Sequence, residues 1–321
     1  MPVFVVDKPL GPTSHDVVAR ARKALGTGRV GHAGTLDPLA TGVLLILVEE
    51  ATKLSPWLTG SDKGYLAWVA FGASTPSWDA EGPIDAEADA SGLTADRIEA
   101  ALSPFLDLTE QVPPRHSAIK IGGERAYRAA HRGDTDLAEM EARPAGYRSI
   151  DLLAFGPRDS LPTEFASTSA GWREAEGGRT FELPPALAEL PTALFAVRVA
   201  AGTYLRAFAR DLGVALGVPA HLAGLVRTEV GAVDLTESVT VESLPSASGR
   251  PMAETLTLPK VSLSGEQVAR VRQGQRLPLS ELKDVVTASP QDVTLLATDG
   301  SLVAIAAVSE EGMSLKRVWP A

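Results

Sequence analysis

The sequence contains no cysteine, which excludes disulfides, thiolate nucleophiles and thiolate metal sites, and suits a reducing compartment. Histidine is scarce as well. The five present, His15, His32, His116, His131 and His221, are scattered without ligand spacing, so no metal site is expected. Long apolar runs are missing too. The stretch Gly42–Val48 is too short to span a bilayer, and the opening "MPVFVV" is too short for a signal segment, so a soluble, cytoplasmic protein is expected. A phosphate-binding loop is also lacking: Gly28, Gly31 and Gly34 fit neither G-x-G-x-x-G nor a G-K-[ST] ending, and their order is helix–loop–strand. Basic charge is in deficit, with 30 Lys and Arg against 40 Asp and Glu, a net −10 that by itself argues against a polyanionic partner.

The charge is unevenly spread, and that changes the reading. Residues 79–110 hold nine carboxylates against Arg97 alone, a net −8. Residues 113–132 hold Arg115, Lys120, Arg125, Arg128 and Arg132 against Glu124, a net +4. Without the acidic stretch the chain is close to neutral and carries basic islands. The segment 113–132 reads either as a solvated helix face or as a clamp on a phosphate backbone.

What is present describes an ordinary globular chain of 321 residues, 45% hydrophobic and 22% charged. "PVFVVDKPLG" predicts a short strand ending in a turn, and "TSHDVVARARKALG" a helix with Ser14 as its N-cap and Gly26 as its stop. A buried strand is expected over 43–48, a short helix near 51–58, another strand at "KGYLAWVAFGAS", and a strand–turn–helix at "ALFAVRVAAGTYLRAFARDLGVALG". Residues 156–194 are rich in Pro, Gly, Ser and Thr and read as an inserted surface loop or lobe. Strands and helices mix without regular βαβ alternation, which points to an α+β fold on a mixed, largely antiparallel sheet. The chain loosens at 245–258, so a domain over 1–250 and a small β-rich module over 257–321 are expected.

One carboxylate stands out. Asp37 is the only formally charged residue between Val30 and Val48, in "GRVGHAGTLDPLATGVLLILV". A charge beside a buried strand is costly unless something pairs with it or uses it. An Asp before Pro also initiates turns, so a purely local capping role is an open alternative. Arg206, at a strand-to-helix turn, and Tyr65, opening an apolar strand, are further polar singletons. An arginine near Asp37 would orient it, hold it ionised and lower its pKa. An oriented carboxylate beside an aromatic ring suits covalent chemistry at a sugar or base carbon. For Arg206 the plain alternative is a helix-surface residue, for Tyr65 a half-buried strand residue, and for His32 a loop histidine.

Together, "DKPLGPTSHD", "RVGHAGTLDPLATGVL", "ATKL", "KGYLAWVAFG", "PPRHSAIKIGGERAY" and "GTYLRAFARDLG" resemble the TruB family, the bacterial tRNA pseudouridine-55 synthases. The matching motifs run in order through residues 1–235, and the tail from about 257 resembles that family's PUA-type RNA-binding module. The resemblance implies a pseudouridine synthase fold in which Asp37 is the catalytic aspartate, Arg206 its partner, and Tyr65 a ring packed on the target uracil. It places His32 at the position of a nucleotide-displacing histidine, Tyr204 and Leu225 along the pocket, and Lys8 and Pro9 in a buttressing motif. It implies the tRNA T arm as partner and a monomer needing neither cofactor nor metal. The chain departs from the family in three places: an aromatic is usual near His116 in the basic segment, His131 stands where an arginine is common, and Ser77 where a threonine is common. Two other function classes compete: a non-catalytic RNA-binding or tRNA-folding protein, and a glycosidase-like hydrolase. The hydrolase lacks a second carboxylate evident from the sequence. A pure binder has no use for Asp37, Tyr65 and Arg206 together.

Overall fold

A computed structural model describes residues 2–114, 120–121, 124–125, 140–282 and 290–320. The core element is a sheet built from β1 (Pro2–Lys8), β2 (Val30–Ala33), β3 (Ala40–Val48), β4 (Lys63–Phe71), β5 (Tyr147–Pro157), β6 (Pro191–Val199) and β7 (Ala220–Val230). Their order across the sheet is β5-β6-β4-β7-β3-β1, with β2 pairing on β3 and Arg250–Pro251 closing the edge beside β1. Only β7 and β3 run parallel, with Leu225 opposite Ala40 and Arg227 opposite Gly42; the other main pairings are antiparallel. The fold is therefore α+β on a mixed, largely antiparallel sheet, as the sequence indicates.

All nine residues of β3 and all nine of β4 are buried, because both sheet faces are covered. On one face lie α1 (Ser14–Leu25) and α2 (Leu205–Leu216), packing Val17, Val18, Phe208 and Leu212 against Leu44, Ile46, Ala67 and Val69. The other face is covered by the 156–194 connection and by the C-terminal module, where Phe165, Trp172 and Trp319 meet Leu45, Leu66 and Trp68.

Two local readings need correcting. The N-cap of α1 is Thr13, not Ser14: Thr13 and Asp16 form a reciprocal capping box, and Ser14 turns inward. The 156–194 connection is a small sheet, with Glu164–Thr168 flanked by Gly171–Glu174 and Arg179–Thr180. Its strands are too short to show a period in sequence, yet Phe165 and Trp172 anchor them as firmly as core residues.

Beyond residue 258 the strands β8 (Lys260–Ser262), β9 (Gln291–Leu296), β10 (Leu302–Ser309) and β11 (Gly312–Val318) form a second sheet in that order, beside α3 (Gly265–Arg272). Val261, Val271, Val293 and Val303 give it a core of its own. It is tied to the first sheet by Trp57, whose Nε1 donates to Asp292 Oδ2 at 2.8 Å, and by Trp319, whose Nε1 donates to the Glu50 carbonyl at 3.0 Å. No helix among the described residues is long and apolar enough to cross a membrane.

Candidate active site

Asp37 sits in the turn between β2 and β3, and three buried side chains hold that turn by its backbone. The Lys8 ammonium donates to the carbonyls of Pro9, Pro38 and Ala40, at 3.0, 3.3 and 2.7 Å. Ser14 Oγ donates to the Leu36 carbonyl at 2.9 Å and accepts from the Leu36 N–H at 2.8 Å. Arg227 donates to the carbonyls of Val43, Thr35 and Gly34, at 2.7, 3.3 and 2.9 Å. Gly42 has φ 96°, and a Cβ there would stand 2.3 Å from the Arg227 carbonyl oxygen, so only glycine lets β3 lie this close to β7. The turn is thus fixed by its main chain, and the Asp37 side chain is left to face a cavity.

Arg206 approaches from the first turn of α2. A cation there opposes the helix dipole, and its side chain is only 5% exposed, so it needs anionic partners. Among the described residues it has two: Asp37 Oδ2 at 2.9 Å and Asp79 Oδ2 at 3.4 Å. Asp79 is fixed by Ser77 Oγ at 2.6 Å and by the Glu81 N–H at 3.0 Å, and Arg206 also donates to the Ser77 carbonyl at 3.3 Å. Gln111 sets where α2 begins, because its side-chain amide bonds both the N–H and the carbonyl of Tyr204, at 2.9 and 3.2 Å, and reaches the Tyr147 hydroxyl at 2.9 Å.

These elements enclose a cavity of about 250 Å³ lined by Asp37, Lys63, Tyr65, Tyr204, Arg206 and Leu225 among others. That is near the lower end of ligand-pocket sizes, about 300–1,000 Å³, so it suits one nucleoside-sized group. Burial pushes the Asp37 carboxyl above the usual carboxylate range; Arg206 and Lys8 oppose the rise and Asp79 adds to it. The ion pair expected from sequence is therefore present, but it does not lower the Asp37 pKa, because desolvation and a second carboxylate outweigh one guanidinium. The same burial lowers Lys8 and Lys63 each to about 8.

The structure brings Asp37, Tyr65, Arg206, Tyr204 and Leu225 to one cavity and puts Lys8 directly beneath it. His32 is not among the lining residues. It lies on β2 with its ring edge-on to His15 at 5.4 Å, and burial lowers its pKa to about 4. Arg115, Arg128 and Arg132 fall outside the described residues, while Lys120 and Arg125 are described only as paired backbone positions. Asp79, Ser14, Arg227, Lys63 and Gln111 are the residues that sequence reasoning passed over. Asp79 was hidden in the acidic stretch 79–110, although its setting in "STPSWDAEG", behind three hydroxyl residues and a proline, marks a turn that can aim a carboxylate inward.

Comparison with known proteins identifies the family. The sequence profile described as "TruB family pseudouridylate synthase (N terminal domain)" matches residues 22–169. A protein named tRNA pseudouridine synthase B from Deinococcus deserti is 48% identical, with 99% of this chain and 100% of the relative covered. Its namesake from Thermus thermophilus is 48% identical, with 99% of each covered, and that of Mycobacterium bovis 36% identical, with 93% and 92% covered. Among solved structures, a chain of a Cbf5-Nop10-Gar1 complex shares the fold with a TM-score of 0.69 at 24% identity, over 99% of this chain and 84% of that one. The chain described here belongs to the TruB family of pseudouridylate synthases.

Proposed function

We propose that this pseudouridine synthase converts uridine 55 in the T loop of tRNA to pseudouridine, with Asp37 as the catalytic carboxylate. The observation that carries the reading is the Asp37–Arg206 pair, at 2.9 Å, on the wall of a nucleoside-sized cavity that also holds Tyr65. The names of the full-length relatives supply the substrate class.

Substrate and product are isomers, so the reaction balances without an external reactant. The N1–C1′ bond breaks, the base turns within the pocket, C5 bonds to C1′, and the proton lost from C5 is matched by one gained at N1. Asp37 acts on the nucleoside as that first bond cleaves, and Arg206 holds its carboxylate in line. Tyr65 packs on the base and is the candidate for proton handling. Tyr204, Leu222 and Leu225 give the cavity an apolar lining that limits water and protects the cleaved intermediate from hydrolysis. A base inside a folded T arm is out of reach, so it is flipped out at a cost of a few kcal/mol, repaid by stacking and backbone contacts. His32, Lys8 and the basic segment with Arg115, Lys120, Arg125, Arg128 and Arg132 are assigned to nucleotide displacement, support and phosphate contacts. The β8–β11 module is assigned to RNA binding.

The test is incubation of unmodified tRNA transcript with the wild-type protein and with Asp37→Asn, reading pseudouridine at position 55. Conversion by the wild type and none by the variant, with RNA binding retained, is expected. Modification at another position, or an active Asp37→Asn, overturns the assignment.

A further inference from the structure

The β-lobe between β5 and β6 is docked to the sheet by contacts that do not concern the cavity. Phe165 and Trp172 are buried in the second core, Trp172 Nε1 donates to Asp234 at 3.0 Å, and Arg173 pairs with Asp151 at 2.7 Å. Arg179 is different. From the last strand of the lobe it reaches under β1 and forms an ion pair with Asp7, while its other amino group faces the Leu235 carbonyl and Ser238 Oγ, each at 3.4 Å.

Asp7 lies next to the parts that hold the catalytic turn. Its neighbour Lys8 carries the three carbonyl contacts beneath Asp37. On the opposite strand Asp7 is paired with Val43, next to Gly42, the residue pressed against Arg227. Among the described residues, Arg179 is the only cation seen in an ion pair with Asp7. Side chains alternate along β1, so Asp7 faces the lobe while Lys8 faces the turn that carries Asp37.

We propose that Arg179 is a positioning residue for catalysis: by pairing with Asp7 from behind the sheet, the lobe fixes the β1–β3 register from which Lys8 and Gly42 hold the Asp37 turn. This rests on the reading of Asp37 given above. Without its cation, the half-buried Asp7 carboxylate draws in water or turns outward, and the β1–β3 pairing beside Val43 and Gly42 loosens. The turn then relaxes by a fraction of an ångström. A misplacement of 1 Å costs a catalytic group about 100-fold, so a smaller shift costs roughly fivefold.

The experiment compares Arg179→Gln, Asp7→Asn, their combination, and Arg173→Gln in the full chain. Two readouts are used: kcat and KM on unmodified tRNA transcript, and amide hydrogen exchange at Gly42. Arg179→Gln is expected to lower kcat roughly fivefold with KM changed less than about twofold, and to speed exchange at Gly42. Adding Asp7→Asn should restore most of the loss, since a neutral amide needs no cation. Arg173→Gln, which breaks an exposed pair of the same lobe, should change neither readout. Wild-type kcat in Arg179→Gln, a loss that Asp7→Asn leaves uncorrected, an equal loss in Arg173→Gln, or unaltered Gly42 exchange each overturns the proposal. Exchange requires no turnover, so it reports on Arg179 even where the assignment of uridine 55 fails.

Discussion

The two ends of the Asp37–Arg206 pair should affect stability in opposite directions. Arg206 is 5% exposed, Asp79 3% and Asp37 37%, so one buried cation serves one buried and one partly hydrated carboxylate. Replacing Arg206 with Gln leaves Asp79 without a countercharge. Breaking a buried pair costs about 3–5 kcal/mol, and the Asp37 share is discounted because water reaches it from the cavity, which leaves about 3 kcal/mol. In a chain of this length that lowers Tm by about 6 °C. Asp37→Asn keeps Arg206 paired with Asp79 and removes a charge that burial disfavours. Because the Asp37 pKa is raised on folding, its stability contribution is full at low pH and is lost as pH rises through the folded value. Asn should therefore match the wild type near pH 4 and exceed it in stability, with a higher Tm, at pH 8. Thermal unfolding at pH 4, 5 and 8 decides this. In Arg206→Gln the Asp37 carboxyl, whose anion burial already disfavours, takes up a proton more readily in acid, so the deficit should be smaller at pH 5 than at pH 8. An Asp37→Asn protein less stable than wild type at pH 8, or an Arg206→Gln deficit that ignores pH, refutes the account.

Asp79→Asn should retain RNA binding but lower kcat by about 10- to 100-fold, since the guanidinium that aims Asp37 loses its second anchor; single-turnover kinetics with saturating enzyme test this. Lys8, lowered to about 8, should give kcat an alkaline limb near that pH, because a neutral amine has too few N–H groups for three carbonyls. In Lys8→Met the rate should be lower throughout and that limb missing from the pH–rate profile. Trp57→Phe removes the bond to Asp292 and should cost about 1 kcal/mol, with faster hydrogen exchange in β9 than in β4.

Some of these features can be read from the chain and some cannot. The α+β class follows from strand-like and helix-like runs that do not alternate, and Asp37 draws notice because an unpaired charge beside an apolar strand demands a reason. Arg206 is visible on the same grounds, as a cation at the start of a helix. Ser14 has the local features of a cap, and only the fold shows that Thr13 takes that place while Ser14 braces Leu36. Asp79 has the local features of an acidic surface, because composition counts charges without showing where they point. Residues 156–194 read as a surface loop or lobe with no strand visible, because strands of two to five residues carry no period.

The sequence alone marks some groups, Asp37 and Arg206 among them, as charges out of place, since side-chain type, neighbouring apolar runs and turn residues act over a few positions. The tertiary structure decides which of them meet, in what protonation state and with what support. Burial turns the expected downward shift of Asp37 into an upward one, and contacts between distant segments join Arg206 to Asp79 and Arg179 to Asp7. Desolvation and ion pairing depend on distances in space, and a linear pattern does not contain them.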